Sequence, residues 1–246
     1  MRRLLSNSKR AARNAYGYLV AVDLVDARRD GGIASFTFDD FPVSALTVGG
    51  ALLKTYGYRG TYYASMGLAG KDLAVGRAFD RDDLRRCDAN GHEVAQHSFA
   101  HVHCTELTAE AILADQAKNA AALAPIEAKN FAYPFGDVNG SVKALLRQHF
   151  TSCRGTRDGI NGRRTDLGDL KANRLYSRLG VGRLMPMIKR AAETGGWVIF
   201  YTHDVAPVPS PYGCTPEALR QVIDAVGEAG LAVGTISDGL AGLLPE

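Results

Sequence analysis

Cysteine is scarce in this 246-residue sequence, and its four cysteines form no C-x-x-C pair. We therefore expect reduced thiols in a cytoplasmic protein, which excludes a fold that depends on disulfide bonds for its stability. Long apolar runs are missing from residues 1–19, so neither a Sec-type signal peptide nor a transmembrane helix is predicted there. The formal net charge is only +3, and with no basic stripe this argues against a nucleic-acid binder.

Residues 1–30 form a basic segment, in which the cations Arg2, Arg3, Lys9, Arg10 and Arg13 precede the first acid. This pattern fits a basic amphipathic helix in peripheral contact with a membrane surface, or a solvated helix without a partner. Residues 31–246 contain no repeat, low-complexity stretch or linker. They are expected to form one domain, which is large enough to bury a core without disulfides.

Apolar runs followed by helical patterns recur along this domain. The predicted strands are residues 33–38, 61–65, 93–96, 130–133, 151–153, 174–177, 198–202 and 232–236. The predicted helices are residues 44–56, 81–90, 108–126, 141–149, 182–194 and 216–229. Alternating strands and helices are typical of an α/β fold with a parallel sheet, open or closed into a barrel. In either arrangement, functional residues collect at the carboxyl ends of the strands.

Reactive side chains follow four of the predicted strands. These clusters are Asp39-Asp40, His97 to His101, Tyr133-Pro134-Phe135-Gly136 and Thr202-His203-Asp204. Two histidines and one carboxylate are a common ligand set for Zn²⁺ that leaves positions open for water and substrate. A bound divalent metal acidifies its water, and a second carboxylate can then take the proton. The pattern therefore predicts a metal-dependent hydrolytic site.

The remaining histidines and Cys104 have simpler interpretations. His92 precedes a strand, far from the carboxyl ends, and is expected to be structural. His149 is expected to be a cation at the end of a helix. His103 is close enough to be a third imidazole ligand, but a flanking position is favoured, and Cys104 is expected to pack in the core.

In this combination and order, the motifs resemble those of the polysaccharide deacetylases, carbohydrate esterase family 4 with its nodulation-type deacetylase domain. The matching segments span residues 37–204. The resemblance implies a distorted (β/α) barrel with seven or eight parallel strands. It also implies metal ligands, usually for zinc, at Asp40, His97 and His101, with Asp39 as the general base and His203 as the general acid.

The same resemblance implies an oxyanion and substrate site around the third and fifth motifs. The backbone N–H of Phe135 would stabilise the oxyanion of the tetrahedral intermediate. Tyr133, Pro134 and Tyr201 would contribute to substrate binding, and Asp204 would lie just outside the reacting groups.

Two motifs depart from the family pattern. Members commonly carry an Arg two residues before the Pro of the third motif, where it orients the base. Here that position is Ala132, and we expect Arg174 to take the role. The fourth motif usually supplies an Asp partner for the catalytic His, followed by a Trp. Asp166 and Asp169 have the required spacing, but Leu170 stands in place of the Trp, and the single Trp of the chain, Trp197, is expected in the core.

Together these features predict a hydrolase that removes an N-acetyl group from an amino sugar. The absence of an export signal favours a glycan precursor or oligosaccharide of surface-polysaccharide biosynthesis, processed in the cytoplasm or at the membrane surface. The loop 207–214, with Tyr212, is expected either to wall the sugar site or to form a rigid turn. Two alternatives stay open, namely a metal-dependent amidohydrolase or deformylase acting on a small amide, and a non-catalytic sugar-binding protein.

Overall fold

Eight short parallel strands form the central sheet of the computed structural model, which describes residues 20–241. They are β1 (Ile33–Phe38), β2 (Thr61–Ala64), β3 (Glu93–Gln96), β4 (Asn130–Ala132), β5 (Ser152–Arg154), β6 (Asn173–Arg174), β7 (Trp197–Thr202) and β8 (Ala232–Val233). Each overlaps the strand predicted at its place. The basic helix predicted within residues 1–19, either in contact with a membrane or solvated, lies outside the described residues.

The sheet is a curled half-barrel with the strand order β6-β7-β1-β2-β3-β4-β5. All neighbouring strands are parallel, and β8 pairs with the first two residues of β1. This architecture confirms the predicted distorted (β/α) barrel with seven or eight parallel strands. Because the strands are parallel, the carboxyl ends of β1, β3, β4, β5 and β7 lie on one edge of the barrel.

Helices connect the strands and cover the outside of the sheet. They are α1 (Ala51–Thr55), α2 (Arg81–Ala89), α3 (Ala109–Leu123), α4 (Gly140–Leu146), α5 (Met185–Thr194), α6 (Pro216–Glu228) and α7 (Ile236–Leu240). Single 3₁₀ turns occur at Met66–Leu68, Cys104–Glu106, Pro134–Gly136, Ser177–Leu179 and Val181–Leu184. Two antiparallel ribbons pair Leu24–Val25 with Thr165–Asp166, and Asp72–Leu73 with Gly76–Arg77. No helix within residues 20–241 has the length and apolar character needed to cross a bilayer.

The helix predicted over residues 44–56 is α-helical only in its second half. Residues Ala45–Gly50 form a π-helix, which continues into α1. A side chain on Gly49 would come within 3.0 Å of the Phe38 ring, and one on Gly50 within 2.6 Å of the Tyr62 hydroxyl. The two glycines thus let this segment pack directly on β1 and β2, immediately after the Asp39-Asp40 motif.

Two side chains identified in the sequence as structural are buried in the core. Trp197 is fully buried and donates its indole N–H to Ser35 Oγ at 3.0 Å. His92 is buried and accepts the Gly60 N–H at Nδ1, at 3.0 Å. All four cysteines are buried free thiols. Cys104 is one of them and packs in the core, as expected from the sequence.

Candidate active site

The predicted reactive residues meet in one cavity of about 450 Å³ at the carboxyl edge of the barrel. Residues at the carboxyl ends of β1, β3, β4 and β7, or directly after them, line it: Asp39, Asp40, His97, His101, Tyr133, Phe135, Tyr201 and His203. Thr156, Tyr176 and Tyr212 complete the polar and aromatic wall, and segment 68–75 supplies an apolar one. The sheet therefore joins motifs that lie up to 164 residues apart in the sequence (203 minus 39).

Asp40, His97 and His101 form a compact group of potential metal ligands. One ligand atom from each lies within 4.8 Å of the others. Asp40 Oδ1 is 3.0 Å from His101 Nε2 and 3.5 Å from His97 Nε2. Among the described residues, no N–H meets this buried oxygen in hydrogen-bond geometry. An oxygen so placed between two imidazole nitrogens fits a divalent cation with mixed nitrogen and oxygen ligands.

The pKa shifts of His97 and Asp40 also fit a metal site. His97 Nδ1 lies 2.8 Å from the Ala132 carbonyl oxygen, to which it donates, and this leaves the lone pair of Nε2 facing Asp40. Burial, helped by the charge of His101, lowers the pKa of His97 to about 4. Burial opposes ionisation of Asp40, but the contact with His101 and the charges of His97 and His203 outweigh it and lower its pKa below the ordinary value.

Backbone strain is concentrated at this site. Within residues 20–241, five residues other than glycine have left-handed backbone angles, namely Asp40 (φ 59°), Phe41 (φ 46°), Ser98 (φ 59°), His101 (φ 51°) and Phe135 (φ 61°). All five belong to, or directly follow, three of the four motifs that line the cavity, those after β1, β3 and β4. Such conformations persist only where the surroundings hold them, and they cluster at functional sites.

Asp39 is held by a buried arginine that sequence reasoning missed. Arg154, at the end of β5, is fully buried and its guanidinium pairs with Asp39 Oδ1. The guanidinium also lies 4.9 Å from the Tyr63 ring centroid and 5.0 Å from that of Tyr201. Burial alone would lower the pKa of Arg154, but Asp39 more than offsets this and raises it. The Arg154 guanidinium therefore stays charged beside Asp39.

The expectation for Arg174 is wrong. Arg174 pairs with Asp158, which also pairs with Arg183 at 3.0 Å. By contrast, Ala132 and Arg154 are direct partners in the parallel register of β4 and β5. Side chains of such partners leave the sheet on the same face, on strands about 4.8 Å apart. An arginine at 154 can therefore reach the space that an arginine at 132 would fill. The register of β4 and β5 shows this relation between the two positions, and the amino-acid sequence alone does not.

His203 faces Asp40 and is oriented by the loop after β7. Its Nε2 lies 3.9 Å from Asp40 Oδ2, and its Nδ1 donates to the Tyr212 carbonyl oxygen at 3.2 Å. Asp204 accepts the Ser210 N–H at 2.7 Å and the Ser210 hydroxyl at 2.5 Å, which closes the loop and leaves Tyr212 on the cavity wall.

Asp166 and Asp169 do not provide the Asp partner expected for His203. Asp166 Oδ2 pairs with the buried Lys143 at 2.6 Å, and its Oδ1 accepts the Gly168 N–H at 3.0 Å. Asp169 lies 3.9 Å from Arg157 and 4.0 Å from Lys143. The two aspartates thus belong to a buried ionic cluster, and the partner of His203 Nδ1 is a backbone carbonyl.

The third motif forms a rigid turn at the cavity mouth. Tyr133 is buried and donates its hydroxyl to the Gly168 carbonyl at 2.8 Å. Pro134 begins a 3₁₀ turn in which Phe135 is left-handed. Phe135 is 57% exposed, and its ring stacks on that of His103, with ring centroids 4.0 Å apart. His103 thus flanks the site, as expected, and its Nδ1 lies 3.1 Å from Asp137 Oδ2.

Comparison with known proteins agrees with this architecture. A sequence model described as polysaccharide deacetylase matches residues 26–151. No curated protein matches the chain by sequence. The carbohydrate esterase 4 domain of a multidomain xylanase from the hindgut metagenome of Trinervitermes trinervoides is 20% identical, with a TM-score of 0.59, over 85% of this chain and 90% of that one.

Two further structures share the fold. A family 4 carbohydrate esterase from Streptomyces lividans, in complex with acetate, is 19% identical, with a TM-score of 0.58, over 84% of this chain and 93% of that one. A family 4 acetyl xylan esterase from Clostridium thermocellum, in complex with a cobalt ion, is 23% identical, with a TM-score of 0.54, over 85% and 90%. The family model covers half of the chain, and the resemblance of the motifs is confirmed. The chain belongs to the polysaccharide deacetylase family.

Proposed function

We propose that this protein is a metal-dependent N-deacetylase of an amino sugar. The observation that carries the proposal is the convergence of Asp39, Asp40, His97, His101 and His203 on one cavity. A general base, a general acid and an Asp-His-His ligand set together supply the groups that metal-assisted hydrolysis of an amide uses. Membership of the polysaccharide deacetylase family supports a carbohydrate as the substrate.

Asp40, His97 and His101 would hold the metal, for which we propose zinc because it accepts this mixed ligand set. When bound, a divalent metal supplies Lewis-acid polarisation of the acyl oxygen and acidifies a water. The chain's own contribution is to keep the ligand atoms in place. The Ala132 carbonyl fixes the His97 ring, and the partly buried Asp40 stays ionised beside it.

Asp39 and His203 would move the protons of the reaction. Asp39 is held in place by its pair with Arg154, and in this role it would accept the proton of the attacking water. His203 donates at Nδ1 to the Tyr212 carbonyl, so its Nε2 is the atom that can pass a proton to the departing amine. An amine is a poor leaving group until it is protonated, so a positioned imidazole is suited to this step.

Phe135 and the aromatic wall would bind the acyl group and the sugar. We assign the oxyanion contact to the Phe135 backbone N–H, because the left-handed turn places this residue at the cavity beside His101. Tyr176, Tyr201 and Tyr212 line the same cavity, and aromatic faces of this kind pack on sugar rings.

We further propose that the substrate is a glycan precursor or oligosaccharide of surface-polysaccharide biosynthesis, processed in the cytoplasm. Four buried free thiols support a reducing compartment. Contact with a membrane through residues 1–19 would bring the cavity to a lipid-linked precursor.

Metal content and acetate release test the proposed function together. Wild type is compared with His97→Ala and with the control His149→Ala, which removes an exposed histidine after α4. We expect about one equivalent of metal in wild type and the control, and none in His97→Ala. Acetate release is then measured on N-acetylated oligosaccharides, O-acetylated xylan and a small formamide. Release from the N-acetylated sugar by the metal-loaded protein supports the proposal. Wild type that binds no metal, or that cleaves only the formamide, would contradict it.

A further inference from the structure

The segment that carries His101 needs external support. Between His97 and His101 the chain makes a tight turn, in which Ser98 (φ 59°) and His101 (φ 51°) are left-handed. Neither residue favours this conformation as glycine does. Without another contact, the turn would relax and move the His101 imidazole relative to that of His97.

Asp115, in the middle of α3, supplies such a contact. Its Oδ2 accepts the Phe99 N–H at 2.6 Å, and its Oδ1 accepts the Ala100 N–H at 3.1 Å. One carboxylate thus binds two consecutive backbone amides between the two histidines. Hydrogen bonds to an ionised acceptor are stronger than those between neutral groups, and two bonds to one planar group also fix orientation.

The same face of α3 also contacts the Phe99 ring and the backbone at the end of β2. Lys118 Nζ lies 3.9 Å from the centroid of the Phe99 ring. Asn119 accepts the Met66 N–H at 2.9 Å and donates to the Ala64 carbonyl at 2.9 Å. Positions 115, 118 and 119 share one helix face, since they are three and four residues apart. The helix therefore acts as a rigid support for the turn between the two histidines.

We propose that Asp115 is a positioning residue that sets the metal affinity of the site. It holds the backbone turn so that His101 faces Asp40 and His97 before the metal binds. It touches no reacting group, and it lies outside the five motifs. Removal of groups that orient metal ligands typically weakens metal binding by about 10–100-fold. The inference rests on the proposed metal site.

The experiment compares wild type, Asp115→Ala and Asp115→Asn with the control Glu110→Gln. The control removes an exposed carboxylate from the first turn of the same helix. The Kd for Zn²⁺ is measured by competition with a chromogenic chelator, and thermal unfolding is followed with and without Zn²⁺. We expect Asp115→Ala to raise the Kd by about 10–100-fold, and Asp115→Asn to raise it less, because an amide oxygen can still accept one of the two N–H groups. Glu110→Gln should leave the Kd unchanged.

Thermal unfolding separates positioning from a general structural role. A positioning role reduces the rise in Tm that Zn²⁺ produces, because this rise depends on the Kd. If Asp115→Ala lowers the Tm of the metal-free protein but keeps the wild-type Kd and the wild-type rise, the inference is overturned. If the Ala variant does not fold, the Kd of Asp115→Asn decides. Failure of wild type to bind Zn²⁺ overturns the proposed function as well, whereas an unchanged Kd in the variants overturns this inference alone.

Discussion

The buried pair of Asp39 and Arg154 gives the sharpest prediction. Arg154→Met keeps most of the side-chain volume and removes the charge, so Asp39 is left buried without its cation. Removing one partner of a buried ion pair costs about 3–5 kcal/mol, because the remaining charge stays desolvated. For a chain of this size, that loss corresponds to a decrease in Tm of about 6–20 °C.

Activity should fall together with stability. Asp39 would lose the contact that orients it, and a displacement of about 1 Å at a reacting group can cost ~10²-fold in rate. Metal content should stay at the wild-type level, because the ligands Asp40, His97 and His101 are not changed. The assays are chemical denaturation, metal analysis and acetate release at saturating substrate. The matched control is Arg174→Met, whose arginine pairs with Asp158 and is partly exposed, so we expect a change within about 1 kcal/mol.

A second variant tests whether the arginine can come from the neighbouring strand. Ala132 and Arg154 are register partners in β4 and β5, so Ala132→Arg combined with Arg154→Ala moves the guanidinium by one strand. We expect the double variant to recover part of the rate and stability that Arg154→Ala loses. The reasoning is refuted if Arg154→Met keeps the wild-type kcat, or if its free energy of unfolding changes by no more than that of Arg174→Met.

Other changes give results that distinguish the proposed roles. Asp39→Ala should abolish acetate release while elemental analysis still finds metal; full activity would exclude Asp39 as the base. His203→Ala should retain metal and lose ~10²–10⁴-fold in kcat, the usual contribution of a positioned acid or base. Phe135→Ala removes an exposed ring at the cavity mouth, so KM should rise about fivefold, the equivalent of roughly 1 kcal/mol of stacking; an unchanged KM would remove the ring from the sugar site. His92→Asn keeps an acceptor for the Gly60 N–H but does not titrate. Burial, with the charges of Lys54 and Arg59, lowers the pKa of His92 to about 4, so the unfolded chain takes up this proton first as the pH falls. In wild type, the stability contributed by neutral His92 is complete above about pH 6.5 and is lost as the pH falls towards 4. The free energy of unfolding of the variant, measured with urea, should therefore depend less on pH between 6.5 and 4. An equal pH dependence in both proteins would contradict the assignment.

Much of the fold, and the convergence of the reactive residues on one cavity, could be predicted because both depend on local sequence patterns. Buried parallel strands read as apolar runs, and the residues that follow them must meet at one edge of the barrel. This logic placed Asp39, Asp40, His97 and His203 in one cavity.

The supporting residues could not be predicted in the same way, because they depend on contacts between distant elements. Arg154 ends a short strand, and only its register with Ala132 shows that it can reach the space that an arginine at 132 would fill. Strand register is set by packing across the whole sheet, so it cannot be predicted from the sequence of either strand alone. Asp115 is one of several polar residues on α3, and its role depends on how that helix docks against the turn after β3.

The left-handed residues of the site connect catalysis to the lifetime of the protein in the cell. Five strained residues lie around the cavity, and each costs on the order of 1–3 kcal/mol that its surroundings must offset. A metal that binds only the folded protein stabilises it by ~4 kcal/mol at a thousandfold excess over its Kd. If the proposed metal site is occupied in the cell, these loops are therefore expected to open first when the metal becomes scarce, and to become accessible to proteases. Metal supply would then control how much of the enzyme a cell keeps, as well as how fast each molecule works.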